Sequence, residues 1–240
     1  MSRTDFARRG VLVAFGLVLG GLTSGCVENN TTIFIQTNKY ADPEEACIVT
    51  PDPENTFIPN SFLDVSLRDT YVANLLVGNQ GVSSADADRL RTETNRVTLY
   101  QAEVEVFDPR SGSTLSSFSE PISGFVDIGN GNAPGWGIAR VNLIHASDLN
   151  GYLGPTVARV KVFGETLGGN DVETGIWDYP IEVCTDCTPC YDPPTPDDCN
   201  VEAHATCFVG QDSGADCRCL PGANGGNRSV SCGTTFIGCF

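Results

Sequence analysis

Apolar and polar residues alternate along most of the stretch from residue 31 to residue 183, the two-residue period of strands that bury one face. Thr31 to Thr37, rich in β-branched residues, opens the series. Leu63, Val65 and Leu67 alternate with polar neighbours, and Tyr71, Ala73, Leu75 and Val77 do so again after a polar break. From Arg96 to Asp108 the parity changes: Val97 and Leu99 share one face, Val104 and Val106 the other. A strict alternation cannot reverse unaided, so a bulge is predicted near Gln101. Weaker strands are predicted at Leu115 to Phe118 and Gly124 to Ile128, and a stronger one at Ile138 to Ala146, with Val141, Leu143 and His145 on one parity. Thr156 to Phe163 and the run Trp177, Tyr179, Ile181, Val183 flank a glycine-rich connection and read as a hairpin. Ala85 to Arg91 has room for a turn or two of helix but no apolar helix face.

Eight or so short strands without a three-turn helix predict an all-β, antiparallel β-sandwich over residues 31–183. The architecture resembles immunoglobulin-like or fibronectin-like sandwiches, without the Cys, Trp, Cys spacing of true immunoglobulins, and that resemblance implies no function by itself. Asn38 to Pro59, with four prolines, reads as a loop that holds Cys47. Gly129 to Gly137, GNGNAPGWG, reads as a second loop. Trp136 within it has two readings: a surface for stacking a sugar or partner, or a lid folded over the core edge.

After Val183 the composition turns to Cys, Pro, Gly and Asp. Residues 184–240 are predicted to be a separate module held by bridges, since they offer too little apolar surface to offset their chain entropy. On that division a chain ending near Cys190 keeps its fold. The run from Cys207 through Cys217 and Cys219 to Gly222 resembles the second half of an EGF-like module. The resemblance implies pairing of Cys190 with Cys207, Cys199 with Cys217 and Cys219 with Cys232, and leaves Cys239 unassigned.

The front of the chain decides what the cysteines are for. Arg3, Arg8 and Arg9 precede an apolar run from Gly10 to Leu22, which suits an export signal and is short for a membrane span. Leu22-Thr23-Ser24-Gly25-Cys26 resembles a bacterial lipobox. The resemblance implies removal of residues 1–25, lipidation of Cys26, a tether over 26–30, and attachment to the outer membrane, since no Asp follows Cys26. Ala7 to Leu12 also resembles, more distantly, a twin-arginine export signal. In an exported chain the ten downstream cysteines (Cys47, Cys184, Cys187, Cys190, Cys199, Cys207, Cys217, Cys219, Cys232 and Cys239) are expected to pair as disulfides, and their number is even. Cys47 is expected to reach Cys184 or Cys187.

Of the 14 basic and 30 acidic residues, three arginines and one aspartate fall in the first 25, leaving 11 against 29 and a net charge of −18. So acidic a chain argues against nucleic-acid partners and polybasic membrane attachment. Calcium is the sharper reading of the acids, but no EF-hand spacing is present. Cys184, Cys187 and Cys190 have the spacing that begins a ferredoxin-type cluster, with Pro194 at the usual fourth position and Cys199 as the substitute. That cluster, or His145, would serve an exported redox or hydrolytic enzyme. No G-x-S-x-G accompanies His145, His204 lies among the cysteines, and the acid pairs Asp86 with Asp88 and Asp197 with Asp198 lie on polar stretches. The favoured expectation is a non-catalytic, lipid-anchored envelope module without a cofactor, whose partner is an envelope protein or a glycan.

Overall fold

The computed structural model describes residues 32–41, 46–54, 57–58, 61–83, 93–188, 190–191, 207–212 and 215–216. Their fold is all-β, two sheets packed as a sandwich. The strands are β1 (Ile33–Asn38), β2 (Phe62–Asp64), β3 (Thr70–Asn79), β4 (Val97–Phe107), β5 (Thr114–Val126), β6 (Gly135–His145), β7 (Gly154–Thr166), β8 (Asp171–Glu173), β9 (Trp177–Cys184), β10 (Cys190–Tyr191) and β11 (Ala215–Asp216). One sheet has the order β1-β3-β6 and the other β2-β9-β7-β4-β5, with β8 added on β7. Pairing within the sandwich is antiparallel except at the edge, where β2 runs parallel to β9, an arrangement the alternation pattern does not foretell.

The core lies where the inward parities meet: Tyr71, Leu75 and Val77 of β3, Val141 and Leu143 of β6, Val104 and Val106 of β4, Val160 of β7 and Ile181 of β9 are buried. Each fully buried aliphatic side chain stabilises the fold by about 1.5–3 kcal/mol. The predicted bulge exists, as a register shift between Leu99 and Gln101 in the pairings of β4 with both neighbours. It lets Val97 and Leu99 face the same core as Ala102 and Val104.

Four local expectations change. Residues 65–67 form a turn rather than strand, closed by Leu67 N–H donating to the Asp64 carbonyl. The two weak strands at 115–118 and 124–128 are parts of one 13-residue strand, β5. The second half of the GNGNAPGWG segment is strand, and it turns the chain from one sheet to the other. A Cβ on Gly135 would collide with the Asp127 carbonyl and one on Gly137 with the Phe125 carbonyl, so backbone lies directly on backbone at this corner. Further along, Glu120 of β5 covers the β6 edge by accepting the Asn142 backbone N–H at 2.6 Å and its side-chain amide at 2.8 Å.

The fourth change is the largest. β3 is buried on both faces: Val72, Asn74 and Leu76, whose parity points away from the inter-sheet core, are as inaccessible as Ala73 and Leu75. Part of the cover comes from far away in sequence. Gln211 closes a bridge to Leu63, Asp64 N–H donates to the Gly210 carbonyl, and Arg68 and Arg140 sit over the Phe208 ring at 4.9 and 5.4 Å. Residues 207–212, which composition assigns to the separate module, therefore pack as part of the sandwich. Lys39 joins this cover, fully buried with its ammonium donating to the Asp52 carbonyl at 2.7 Å.

The disulfides follow that packing. Cys47 is joined to Cys207, Cα atoms 5.5 Å apart, tying the prolyl loop to the docked segment. The expected link from Cys47 to Cys184 or Cys187 is replaced by a local Cys184–Cys187 bridge, and the EGF-like pairing of Cys190 with Cys207 does not form, because Cys207 is taken. The backbone of Cys190 instead lies in the short parallel pair β10-β11. Cys26, Cys199, Cys217, Cys219, Cys232 and Cys239 lie outside the described residues, as do the 85–91 segment, His204 and the acid pairs at 86/88 and 197/198.

Candidate functional site

Strand alternation that buries Val104, Val106, Ala158 and Val160 must present Glu103, Glu105, Arg159 and Lys161 on the opposite face of the larger sheet. Register sets them in two rows. One runs Ser117, Glu105, Arg159, Asp178 across β5, β4, β7 and β9; the other runs Ser119, Glu103, Lys161 across the first three. Above them lies a groove of about 510 Å³, with Ile176 at its lip. Ile176 is 67% exposed, too far out to be part of the core.

The cations in this groove are positioned by acids and rings. Arg159 reaches Asp178 at 3.1 Å and Glu105 at 3.5 Å, and its guanidinium lies 5.0 Å from the Phe107 ring. The hydrogen bond and charge of Asp178 push the Arg159 pKa up. Lys161 binds Glu173 at 2.7 Å and lies 5.3 Å from the Phe163 ring. Thr114 donates to Glu105 at 2.9 Å and Gln101 donates to Ser119 at 2.9 Å. The floor thus presents carboxylates, hydroxyls and two restrained cations in fixed order, a surface suited to a polar, hydroxyl-rich or peptide ligand.

At one end of the sandwich two acids serve as structural anchors. Asp64, buried, accepts six hydrogen bonds: Ser66 N–H and hydroxyl, Asp186 N–H, Cys187 N–H, and Thr188 N–H and hydroxyl, at 2.6–3.1 Å. Burial alone would raise its pKa, but the bonds from Ser66 and Thr188 outweigh that and hold it below the ordinary carboxylate value. Asp212 accepts from Tyr71 hydroxyl at 2.6 Å and from Phe62 N–H at 3.1 Å. Burial lifts its pKa to about 6, against the opposing pull of these bonds. The Tyr71 hydroxyl also receives the Asn38 amide at 3.1 Å, and Ser61 bonds the Tyr179 hydroxyl. Burial and the Asp212 charge push the Tyr71 phenol pKa well up. These bonds tie β1, β3, β9 and residues 207–212 together, and a cavity of about 10 Å³ lies beside Asp212.

The residues singled out from sequence are not brought together. Trp136 stands on β6, half-buried, its ring edge-on to Phe34 with centroids 5.7 Å apart. His145 ends β6 and packs on Phe118, centroids 4.9 Å apart. Cys184 and Cys187 are joined to each other, which removes two thiolates from the rival ferredoxin-type cluster. Among the described residues no three His, Cys, Asp or Glu side chains are grouped to hold a metal. The groove residues were visible as alternating charges but gave no spacing motif, since four strands contribute to them. No protein-family model and no curated protein matches the chain.

Proposed function

We propose that the chain is a lipid-anchored cell-envelope module that binds a partner or glycan through the outer face of its larger sheet. The anchor reading rests on the lipobox-like Leu22 to Cys26 segment, and the outer-membrane reading on Val27, not Asp, following Cys26. The binding reading is carried by one observation, the groove of about 510 Å³ floored by Glu103, Glu105, Arg159 and Lys161. Ion pairs and ring contacts restrain its two cations, so little side-chain freedom is lost when a ligand binds.

Two experiments test this. Cys26→Ser should leave a heavier, unprocessed precursor that no longer fractionates with the outer membrane; wild-type fractionation would sink the anchor. Cross-linking pull-downs of envelope proteins and glycans, comparing wild type with Arg159→Ala plus Lys161→Ala and with Trp136→Ala, test the site. Loss with the groove variant and retention with Trp136→Ala is the expected result, and the reverse would move the site to the other sheet.

The rival is an exported redox or hydrolytic enzyme using the Cys184 to Cys199 cluster or His145, and its redox form would now draw on the bridge between Cys184 and Cys187. Asp64 works against it. Its carboxylate accepts the Cys187 N–H at 2.9 Å, and a negative charge that close disfavours the thiolate an attacking cysteine needs.

A further inference from the structure

We propose that the end of the sandwich where β1 enters rests on the lipid headgroups of the leaflet that holds Cys26. This rests on the anchoring reading above and adds an orientation to it. Six residues separate Cys26 from Ile33, seven steps along the chain, so the acylated cysteine lies within about 25 Å of the start of β1 even at full extension. The 11 residues of β4 span about 35 Å, so the tether is shorter than the sandwich is tall. The entry end is therefore the near end.

Backbone pairing identifies what that end carries. Ile33 pairs with Asn79, Asn79 with Gly135, and Val97 with both Val126 and Thr166. Val82 bridges to Gly129, and Leu167 N–H donates to the Arg96 carbonyl. Val82, Phe125 and Leu167 consequently fringe one end of the molecule, 54%, 66% and 56% exposed. The disulfides, the Asp64 anchor and residues 207–212 lie at the other.

Charge agrees with that seat. In a chain of net charge −18 after processing, the stretches 79–83 and 128–138 at the entry end contain no charged residue. Asp127 beside them is paired with Arg96 at 2.7 Å. The remaining described acids near this end are Glu93, which accepts from the Ser83 hydroxyl at 2.9 Å and the Asn95 N–H at 2.6 Å, and Glu165 and Asp171, which sit opposite each other across β7 and β8 on the Leu167 side. The uncharged stretches with their exposed apolar side chains tolerate headgroups, whereas the acids beside them favour a zwitterionic surface over an anionic one. Phe125 and Leu167 also have the chemistry of residues that sit at the headgroup boundary beside an acyl anchor.

The test uses the lipidated full chain in vesicles of phosphatidylethanolamine with phosphatidylglycerol. A photo-activatable phenylalanine analogue is placed in turn at Val82, Phe125 and Leu167, and at Leu153 and Val209, exposed residues of the opposite end. Lipid adducts several-fold more abundant at the first three positions are expected, and more so as phosphatidylglycerol is reduced. Equal labelling at both ends, or more at Leu153 and Val209, overturns the orientation. The mass of the Cys26 peptide is read from the same samples. If it carries no acyl group the anchor has failed and the orientation falls with it; if it does, the labelling judges the orientation alone.

Discussion

The side-chain amide of Gln211 pairs with the backbone of Val72 as a strand would: its Nε2 donates to the Val72 carbonyl at 2.6 Å and its Oε1 accepts the Val72 N–H at 2.9 Å. β1 pairs with β3 only as far as Leu75, with Lys39 N–H adding one bond to Asn74, so Val72 lacks a strand partner on that side. Gln211 supplies one from 139 residues away.

Gln211→Ala should therefore destabilise the fold by about 2–4 kcal/mol, because two buried backbone groups lose their partners together. Gln211→Glu should cost at least as much, its carboxylate facing a carbonyl it cannot bond. Urea unfolding measures both, and faster amide exchange at Val72 with little change at Val141 localises the effect. An unchanged Val72 rate would mean that Gln211 does not complete the sheet.

What the sequence disclosed and what it hid divides along contact range. Alternation predicted the strands and the parity reversal at Gln101 because each side chain's face depends only on its neighbours. Burial of Val72, Asn74 and Leu76 was hidden, since part of the cover arrives from residues 207–212, in a stretch with no periodicity. The close backbone approach at Gly135 and Gly137 was hidden, because glycines serve a loop equally well and the segment reads as one. Asp64 and Asp212 carry no sequence signal, since nothing local says that one accepts six bonds while the other binds a buried phenol. The groove was half legible: its charges were plain, its rows were not, because register across four strands is set by the whole sheet.

The Cys47–Cys207 bridge closes a loop with a sequence separation of 160. Cys47→Ser combined with Cys207→Ser should lower stability by about 3–5 kcal/mol, chiefly by freeing the unfolded chain. Non-reducing peptide mapping of the wild type should recover Cys47 linked to Cys207. A peptide linking Cys190 to Cys207 would restore the EGF-like pairing and refute the observed one.

Asp64→Ala should cost about 3–5 kcal/mol, leaving the Cys187 and Thr188 amides without their acceptor. Because the Asp64 pKa is depressed in the fold, its contribution is present above the ordinary carboxylate pKa and is lost as pH falls through the lower folded value. Asp64→Asn should thus narrow its gap to wild type in acid, as measured by denaturant midpoints. A gap that widens in acid would contradict the anchor.

Asp212 titrates in the opposite sense. Its folded pKa of about 6 lies above the unfolded value of about 3.9, so the folded chain holds this proton more tightly. Stability from this group is full below about pH 4 and is lost as pH rises through about 6, by about 3 kcal/mol in all. Asp212→Asn keeps an acceptor for Phe62 N–H and an amide for the Tyr71 oxygen without the charge. Relative to wild type it should gain stability between about pH 4 and 7, measured by thermal unfolding. A constant difference across that range would show that Asp212 is solvated and that the docked segment is held by other contacts.

A chain covering residues 27–190 tests whether the sandwich stands without the docked segment. It retains every strand from β1 to β9 but loses Cys207, the Gln211 pairing with Val72, the Asp212 bond to Tyr71 and the Phe208 ring under Arg68 and Arg140. The disulfide alone is worth about 2–5 kcal/mol and the orphaned buried groups a similar amount, against a typical domain stability of about 5–15 kcal/mol. The shorter chain should therefore be largely unfolded or sharply weakened at room temperature even when oxidised, contrary to the division at residue 183 that composition favours. Residues 27–214, which restore 207–212, should recover most of the loss. Far-ultraviolet circular dichroism and urea midpoints on the two chains decide it: equal stability would return residues 207–212 to an independent module, whereas recovery in the longer chain places them in the sandwich's own folding unit.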